Sequence, residues 1–334
     1  MHAPSPALFF ETINAYQRTH ALRAALEIDL FSSLASGPAT AGAIAKSCGV
    51  AEKGARILAD YLTILGFLTK SADQYGLTPD SSLFLVRTSP AYLGGAMQFL
   101  LAPSLVECFN QLTPAVRRGG TAISEDGTVS HDNPIWVDFA RGMAPLMQLP
   151  AQKLAGLIGG DLTQPLRVLD IAAGHGLFGI TVAQRYPQAH VTALDWKNVL
   201  AVAQENATRA GVQDRYALRP GSAFDTDWGG PYDLVLLTNF FHHFDLETCG
   251  QIARRAFAAL APGGRAVTLE FVPNDDRVSP PGVATFAMTM LASTGQGDAY
   301  TFADYDQIFQ GAGFNRNEFH PLPPTMQQAI VSYR

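Results

Sequence analysis

The feature that most constrains the fold is a change of pattern at Arg167. From there to the end of the chain, short runs of β-type residues alternate with longer segments of helical periodicity. This alternation predicts an α/β fold, a doubly wound parallel sheet with right-handed crossovers. The last two runs, "FNRNEFHPL" and "QQAIVSYR", are joined by a proline-rich connection rather than a helix. We therefore expect them to pair antiparallel at one edge of the sheet.

The first hundred residues have a different, mainly helical texture. The stretch from Ala39 to Val86 reads as a helix, a turn at Cys48 and Gly49, a second helix and a hairpin that turns near Asp73. That order is typical of a winged helix-turn-helix. A chain of 334 residues exceeds the usual size of a single core. The sequence predicts a winged-helix-like domain over 1–100 and a second domain over 101–334, whose sheet begins at about residue 165 after a helical connector.

Composition limits the class of partner. Hydrophobic residues make up 47% and charged residues 16%, which indicates a globular protein with a large core. The net charge of −6 disfavours nucleic acid and anionic membrane and leaves a small molecule as the expected partner. The N-terminal residues lack the pattern of a secretion signal, and no apolar run reaches the length of a membrane span. We expect a cytoplasmic protein.

The segment "LDIAAGHGLFG", residues 169–179, follows the first predicted strand of the sheet. Its glycines let the backbone approach a ligand closely, which suits a dinucleotide and S-adenosylmethionine alike. Asp170 lies four residues before Gly174 and would oppose a pyrophosphate at the following helix N-terminus. The acid therefore favours a cationic or zwitterionic ligand.

The second strand ends in "ALDW". Asp195 stands where an acid accepts hydrogen bonds from ribose hydroxyls, and Trp196 is placed to stack on adenine. Both cofactors contain adenosine, so this pair does not discriminate between them. The alternatives are a helix cap for Asp195 and a core contact for Trp196.

Five segments in order carry a resemblance: "VLDIAAGHGLFG", "ALDW", "YDLVLLTNFFHHFD", "LAPGGRAVTLE" and "YTFADYDQIFQGAGF". Together they resemble the class I S-adenosylmethionine-dependent methyltransferases. With the winged-helix segment, the chain is similar to the small-molecule O-methyltransferases of the plant caffeate type, which also occur in bacterial natural-product pathways. The resemblance implies a Rossmann-like seven-stranded catalytic domain, S-adenosylmethionine as cofactor and S-adenosylhomocysteine as product.

The same resemblance implies the cofactor residues. Ser222 stands where the family has an acid that contacts adenine, so that contact is open at this position. The residues that the resemblance places at the cofactor are Asp170, Gly174, Gly176, Asp195, Trp196, Ser222, Ala223, Phe224 and Thr238.

The segment "FHHFDLETC" aligns His242 with the family's catalytic base. A phenol has a pKa of about 10, and its oxygen attacks a sulfonium methyl group better once its proton is leaving. Imidazole, with an ordinary pKa of about 6.5, is suited to take that proton. Glu270 closes an apolar strand at the sheet edge where ligands bind and matches the acid that orients the base.

Other interpretations of this segment remain open. The family's second orienting acid aligns with Ala299, and the neighbouring Asp298 would point elsewhere. His242 could be structural, since Asp245 makes a plausible cap for the next helix. His243 is a weaker candidate for the base. The three cysteines and the histidines lack the spacing of a metal site, so we expect no metal.

The expected acceptor pocket is apolar. The stretches "FARGM" and "ATFAMTMLAST" supply Met and aromatic residues, which favour a flat, aromatic or polyketide-like acceptor. At helical spacing the same residues could equally be plain core. The predicted pocket residues are Phe139, Met143, Phe241, Met288 and Leu291, with Phe286 and Met290 nearby.

The resemblance implies that the N-terminal domain forms a homodimer. A DNA-binding regulator is the alternative from another class, but the second helix of the winged-helix segment lacks the exposed basic face that DNA requires. We expect methyl transfer to a hydroxyl of a small acceptor. Transfer to carbon or nitrogen, and cofactor binding without methyl transfer, remain alternatives on the same scaffold.

Overall fold

The computed structural model describes residues 4–125, 127, 133 and 135–334. The chain divides into two compact units, Met1–Met97 and Gln98–Arg334. Among the described residues, no helix combines the length and apolarity needed to cross a bilayer.

The first unit is mainly helical with a small antiparallel sheet in the order β1-β3-β2. Gly49, with φ at +68°, ends α4, and α5 follows after a short turn. This is the predicted helix-turn-helix, and the β2–β3 hairpin is its wing. The elements are α1 (Ala7–Ile13), α2 (Ala15–Glu27), α3 (Leu30–Ser33), β1 (Ala39–Thr40), α4 (Ala41–Cys48), α5 (Glu52–Ile64), β2 (Leu68–Ser71), β3 (Gln74–Leu77) and α6 (Pro79–Phe84).

The second unit begins with helices and continues as alternating strands and helices. Its described helices are α7 (Met97–Leu100), which starts at the division, α8 (Pro103–Asn110), α9 (Leu112–Arg118), α10 (Ile135–Leu157), α11 (Leu177–Arg185), α12 (Lys197–Arg209), α13 (Leu246–Ala259), α14 (Pro281–Ala284), α15 (Phe286–Ser293) and α16 (Phe302–Gly311). Its strands are β4 (Leu166–Ile171), β5 (Ala189–Asp195), β6 (Tyr216–Pro220), β7 (Tyr232–Thr238), β8 (Leu260–Glu270), β9 (Arg316–Pro321) and β10 (Gln328–Tyr333).

The seven strands form one sheet in the order β6-β5-β4-β7-β8-β10-β9. The strands from β4 to β8 run parallel, and β10 pairs antiparallel with both β8 and β9. The predicted doubly wound sheet with an antiparallel edge is confirmed.

The side chains of strand β7 show that both faces of this sheet are covered by helices. Leu234 and Leu236 lie in a core with residues of α10, α11 and α12, whereas Val235 and Leu237 lie in a second core with residues of α13 and α16. Alternate side chains of a strand point to opposite faces, so a strand covered on both faces is apolar without interruption.

The strand order reverses at β4, whose neighbours are β5 and β7. In open sheets of this kind the crevice beyond the carboxyl ends of the strands, at that reversal, is where ligands bind. Asp195, Thr238 and Glu270 are the last residues of β5, β7 and β8. The fold therefore gathers the predicted polar residues at one edge.

Candidate active site

The carboxyl edge of the sheet opens into a cavity of about 720 Å³. Its wall is largely aromatic and aliphatic, and its polar groups come from the strand ends and the loops that follow them. Among the predicted site residues, those that line it are Phe139, Met143, Gly174, Asp195, Trp196, Ser222, Ala223, Phe224, Thr238 and His242.

The glycine loop connects β4 to α11. Gly174 and Gly176 have φ of +58° and +76°, and the loop amide of Gly174 donates to Oδ2 of Asp195 at 2.8 Å. A Cβ on Gly176 would lie 2.7 Å from the Tyr216 hydroxyl and 2.9 Å from Ala203. Gly176 is therefore required for packing behind the loop, and it does not line the cavity. Its contact with the cofactor stays a prediction.

Asp170 also lies behind the loop rather than on the cavity wall, and its contact with the cofactor stays a prediction. Its side chain is fully buried, and Oδ2 accepts from the Gly179 amide at 3.0 Å. Oδ1 has no hydrogen-bond partner. Burial raises the pKa of this carboxyl to about 7, with a smaller contribution from the negative charge of Asp195. Asp170 fixes the start of α11.

Asp195 faces the cavity from the end of β5. Besides the Gly174 amide, it accepts from the Trp196 amide at 2.7 Å, and burial raises its pKa to about 6. The Trp196 side chain packs against Val199 and Val202 while lining the cavity. The carboxyl group of Asp195 and the ring of Trp196 thus lie side by side on the cavity wall.

The loop after β6 forms the next part of the wall. Ser222 Oγ accepts from the Phe224 amide at 3.0 Å, which leaves its hydroxyl proton available as a donor. The Phe224 ring packs edge-on against Phe244 at 5.1 Å, and Arg255 donates to the Phe224 carbonyl. These contacts hold the loop against the carboxyl end of β7.

His242 and Glu270 form a buried pair. Nδ1 of His242 lies 2.5 Å from Oε2 of Glu270, and the two side chains are 6% and 0% exposed. Glu270 Oε1 accepts from the backbone amides of Phe240 and Phe241 at 2.8 Å each. The carboxylate is therefore satisfied on both oxygens and holds the imidazole by one nitrogen, while the ring lines the cavity.

The neighbours of His242 divide between cavity and core. The His243 ring lines the cavity, and burial lowers its pKa well below 6.5, so it is neutral. Phe240 lines the cavity too, but Phe241 is fully buried and packs against Tyr305 and Phe309. The prediction that Phe241 lines the acceptor pocket is wrong, because the turn over Phe241–His243 directs that ring into the core.

The apolar residues of helix α15 lie on two sides of the helix and line two different depressions. Phe286 and Met290 line the cavity, and Phe286 contacts the His242 ring at 4.9 Å between centroids. Met288 and Leu291 instead line a separate depression that includes Asp298. They occupy the other side of the helix from Phe286 and Met290, and their predicted place in the acceptor pocket stays a prediction.

The remaining acids near His242 serve structural roles. Asp298 pairs with Arg277 at 3.4 Å and does not contact His242, in line with the expectation from sequence. Asp245 caps α13 by accepting from the Thr248 amide, as predicted. Among the described residues, no group of three or more His, Cys, Asp or Glu side chains is arranged to hold a metal ion.

Several polar residues of the cavity wall were missed from the sequence, among them His175, Asn239 and Gln327. His175 lies inside the glycine motif, where its Nδ1 accepts from the Leu177 amide, and burial lowers its pKa to about 4. Asn239 directly follows β7, the same kind of position that pointed to Glu270, so a signal existed. Gln327 precedes β10, and nothing in the sequence marks it.

Two family models match this chain. One describes an O-methyltransferase domain and covers residues 112–315, more than half of the chain; the other describes an O-methyltransferase dimerisation domain and covers residues 10–87. The chain belongs to the O-methyltransferase family. The enzyme is an S-adenosylmethionine-dependent O-methyltransferase of the natural-product type. The predicted family, cofactor and catalytic class are confirmed.

Individual relatives and solved structures are consistent with this family assignment. This O-methyltransferase is 29% identical to 3-hydroxy-5-methyl-1-naphthoate 3-O-methyltransferase from Streptomyces sahachiroi, over 92% of this chain and 89% of that protein. A crystal structure from Nostoc punctiforme PCC 73102, assigned provisionally as an O-methyltransferase, is 51% identical with a TM-score of 0.97 and covers 99% of this chain and 100% of that one. Human N-acetylserotonin methyltransferase in complex with S-adenosylmethionine is 21% identical, with a TM-score of 0.86 over 100% and 98% of the two chains, and shares the fold.

Proposed function

We propose that this enzyme methylates a phenolic hydroxyl of a small aromatic or polyketide-like acceptor, with His242 as general base and Glu270 as the residue that positions it. The observation that carries the proposal is the buried contact of 2.5 Å between His242 Nδ1 and Glu270 Oε2 at the wall of an aromatic cavity.

The residues at the reversal of the sheet fit the cofactor. Asp195 offers carboxylate oxygens for ribose hydroxyls, and Trp196 and Phe224 offer apolar faces for adenine. The left-handed backbone at Gly174 exposes the loop to the methionine end. S-adenosylmethionine, when bound, supplies a methyl group on a positively charged sulfur.

Glu270 determines which nitrogen of His242 acts. A carboxylate accepts hydrogen bonds, so Nδ1 carries the proton and Nε2 keeps its lone pair. Nε2 is on the ring edge away from Glu270 and can take the proton of an acceptor hydroxyl as its oxygen bonds to the methyl carbon. A base placed in this way contributes about 10²–10⁴ in rate, and positioning of the two reactants supplies much of the remainder.

The cavity supports an aromatic acceptor. Phe139 contacts Trp136 and Phe99 edge-on, and Phe271 stacks on Phe286 with centroids 4.0 Å apart. Apolar walls with a few directed polar groups are typical of sites for flat hydrophobic ligands. The name of the Streptomyces relative specifies a hydroxynaphthoate, a compound of the same shape class.

We also propose that the enzyme acts as a homodimer. The dimerisation-domain match begins at residue 10 and includes the last four residues of α1, and none of the residues of α1 is buried in the single chain. In the neighbouring winged helix, Arg56 and Lys70 both pair with Asp60, so two of its cations are held by one carboxylate within the domain and their combined charge is halved. That arrangement supports association between proteins over binding to DNA phosphates.

Replacement of the base tests the proposal. His242→Ala is expected to lower turnover of phenolic acceptors about 10²–10⁴-fold while the affinity for S-adenosylhomocysteine changes less than threefold. Methyl transfer is followed with isotope-labelled S-adenosylmethionine, and affinity by calorimetry. The matched control is His190→Ala on β5, an exposed histidine. Unchanged turnover in His242→Ala on an acceptor that the unaltered enzyme methylates would remove the base from the mechanism.

A further inference from the structure

Two amide side chains in the cavity converge on one sulfur atom. Asn239 Nδ2 lies 3.7 Å from the Met147 thioether, and Gln327 Nε2 lies 3.5 Å from the same atom. All three residues line the cavity. A thioether is a weak acceptor, so both amides hold poor partners compared with an oxygen.

Asn239 carries further unmet bonding capacity. Its Oδ1 is buried without a hydrogen-bond partner, and its backbone has φ of +52°, in the left-handed region. An unpaired buried polar atom costs about 1–3 kcal/mol, and backbone strain of this kind is concentrated at functional sites. Gln327 is 4% exposed, and its amide nitrogen faces the Met147 thioether. Asn239 Oδ1 is an acceptor and takes no part in binding an oxygen, whereas the two amide N–H groups that converge on the thioether are arranged to donate to a ligand oxygen.

The topology places this pair at the acceptor end of the cavity. Asn239 donates its backbone amide to Leu269 of β8, and Gln327 directly precedes Gln328, which pairs with Glu270 of β8. The two amides therefore flank the strand end that positions His242. Asp195 lies on β5, two strands from β7 and four from β10, which at about 4.8 Å per strand puts the adenosine end roughly 10 Å from Asn239 and roughly 19 Å from Gln327.

The charge of the surroundings identifies the ligand atom. None of the described residues that line the cavity is Lys or Arg, and Asp195 contributes a carboxylate. A carboxylate of the acceptor would be buried without a counter-ion, which is costly, whereas a neutral carbonyl oxygen accepts from amide N–H groups without that penalty.

We infer that Asn239 and Gln327 form a second polar subsite that binds a neutral carbonyl oxygen of the acceptor, so that the preferred acceptor is a phenol that also carries a ketone, quinone or amide carbonyl. This inference rests on the proposed function, in which His242 receives the phenolic proton. The carbonyl fixes the ring so that its hydroxyl faces His242.

Matched ligands test the inference without turnover. Binding of three hydroxytetralones, which differ in the position of the hydroxyl, is measured by calorimetry on the complex with S-adenosylhomocysteine. Each is compared with the tetrahydronaphthol that lacks only the carbonyl and with a carboxylic acid analogue. At least one ketone is expected to bind about tenfold more tightly than its partner, the value of one net hydrogen bond of about 1.4 kcal/mol.

The variant Gln327→Met removes the amide and keeps the length of the side chain. It is expected to abolish the tenfold advantage of the ketone while leaving tetrahydronaphthol affinity within twofold. Asn239→Gly, which tolerates the left-handed backbone, is expected to act in the same direction. The control is Gln310→Met on the exposed face of α16, where the amide binds Asp306. Thermal melts confirm that each variant is folded.

The outcomes separate the two proposals. Equal binding of ketones and tetrahydronaphthols by the unaltered enzyme, equal weakening of both in Gln327→Met, or preference for the carboxylic acid would each overturn the carbonyl subsite. In all three cases methyl transfer to a tetrahydronaphthol through His242 would still sustain the proposed function. If S-adenosylhomocysteine binds but no phenol in the panel binds or is methylated, both proposals fall.

Discussion

Asp170 is a carboxyl group held where water does not reach it. Its folded-state pKa is about 7 against an ordinary value of 3.8, because burial disfavours the charged form. The folded protein thus retains a proton that the unfolded chain has lost over the intervening range. Stability is therefore lost as the pH rises from about 4 to 7, by at most about 4 kcal/mol from this residue.

Asp170→Asn keeps the size of the side chain and an oxygen for the Gly179 amide, and it cannot ionise. We expect the variant without cofactor to gain stability relative to the unaltered enzyme as the pH is raised from 5 to 8. Thermal melts across that range, at constant ionic strength, measure the difference between the two proteins.

Asp233→Asn is a control, because folding lowers the pKa of Asp233 whereas it raises the pKa of Asp170. Asp233 accepts three hydrogen bonds from Arg167, which hold its pKa below 3.8. Its contribution to stability is present above that value, so this variant should be less stable than the unaltered enzyme at both pH 5 and pH 8. Parallel melting curves for Asp170→Asn and the unaltered enzyme would contradict the pKa of about 7.

At the scale of elements, the sheet could be predicted because its strands and their connections impose recognisable residue patterns on the sequence. A strand covered on both faces is apolar along its covered stretch, as β7 is from Leu234 to Leu237, and glycines are required where the chain turns into α11. The antiparallel edge followed from the absence of a helix between β9 and β10, since a parallel connection needs a crossover.

The orientation of side chains around an element was harder to predict. Helix α15, with the sequence "FAMTMLAS", is apolar on most of its circumference, so its pattern does not reveal which side faces the cavity. A similar reason explains why the position of Gly176 and Asp170 behind the loop was not foreseen: a motif specifies residue types but not which side of the loop faces the cavity. Gln327 depends on the pairing of β10 with β8, a contact distant in sequence.

The division of α15 leads to a prediction with a control on the same helix. Phe286, which contacts His242 and stacks on Phe271, is four residues from Met290 and shares its side of the helix. Phe286→Ala is expected to lower kcat/KM for phenolic acceptors about tenfold or more, while Met288→Ala changes it less than twofold. Steady-state kinetics with one acceptor decide this, and equal losses in the two variants would show that both sides of α15 reach the acceptor.

At the scale of the whole molecule, helix α1 exposes a cluster of large apolar side chains in the single chain. Leu8, Phe9, Phe10 and Ile13 are between 56% and 75% exposed, and all four lie on one helix of seven residues. An exposed cluster of large apolar side chains marks a protein interface, and burial of each is worth about 1.5–3 kcal/mol. The dimerisation-domain match over residues 10–87 includes part of the same helix.

The enzyme is therefore expected to be a dimer at micromolar concentration by light scattering coupled to gel filtration. Phe9 and Ile13 are four residues apart and share one side of α1, so Phe9→Glu with Ile13→Glu places two charges in the proposed interface. This double variant should be monomeric and should still bind S-adenosylhomocysteine, because the residues that line the cavity all belong to the unit Gln98–Arg334.

Leu162→Glu with Val278→Glu adds the same charge at exposed apolar positions of the second unit and should remain dimeric. A double variant of α1 that stays dimeric would move the interface to another surface, since two buried carboxylates without counter-ions cannot be accommodated in an apolar contact.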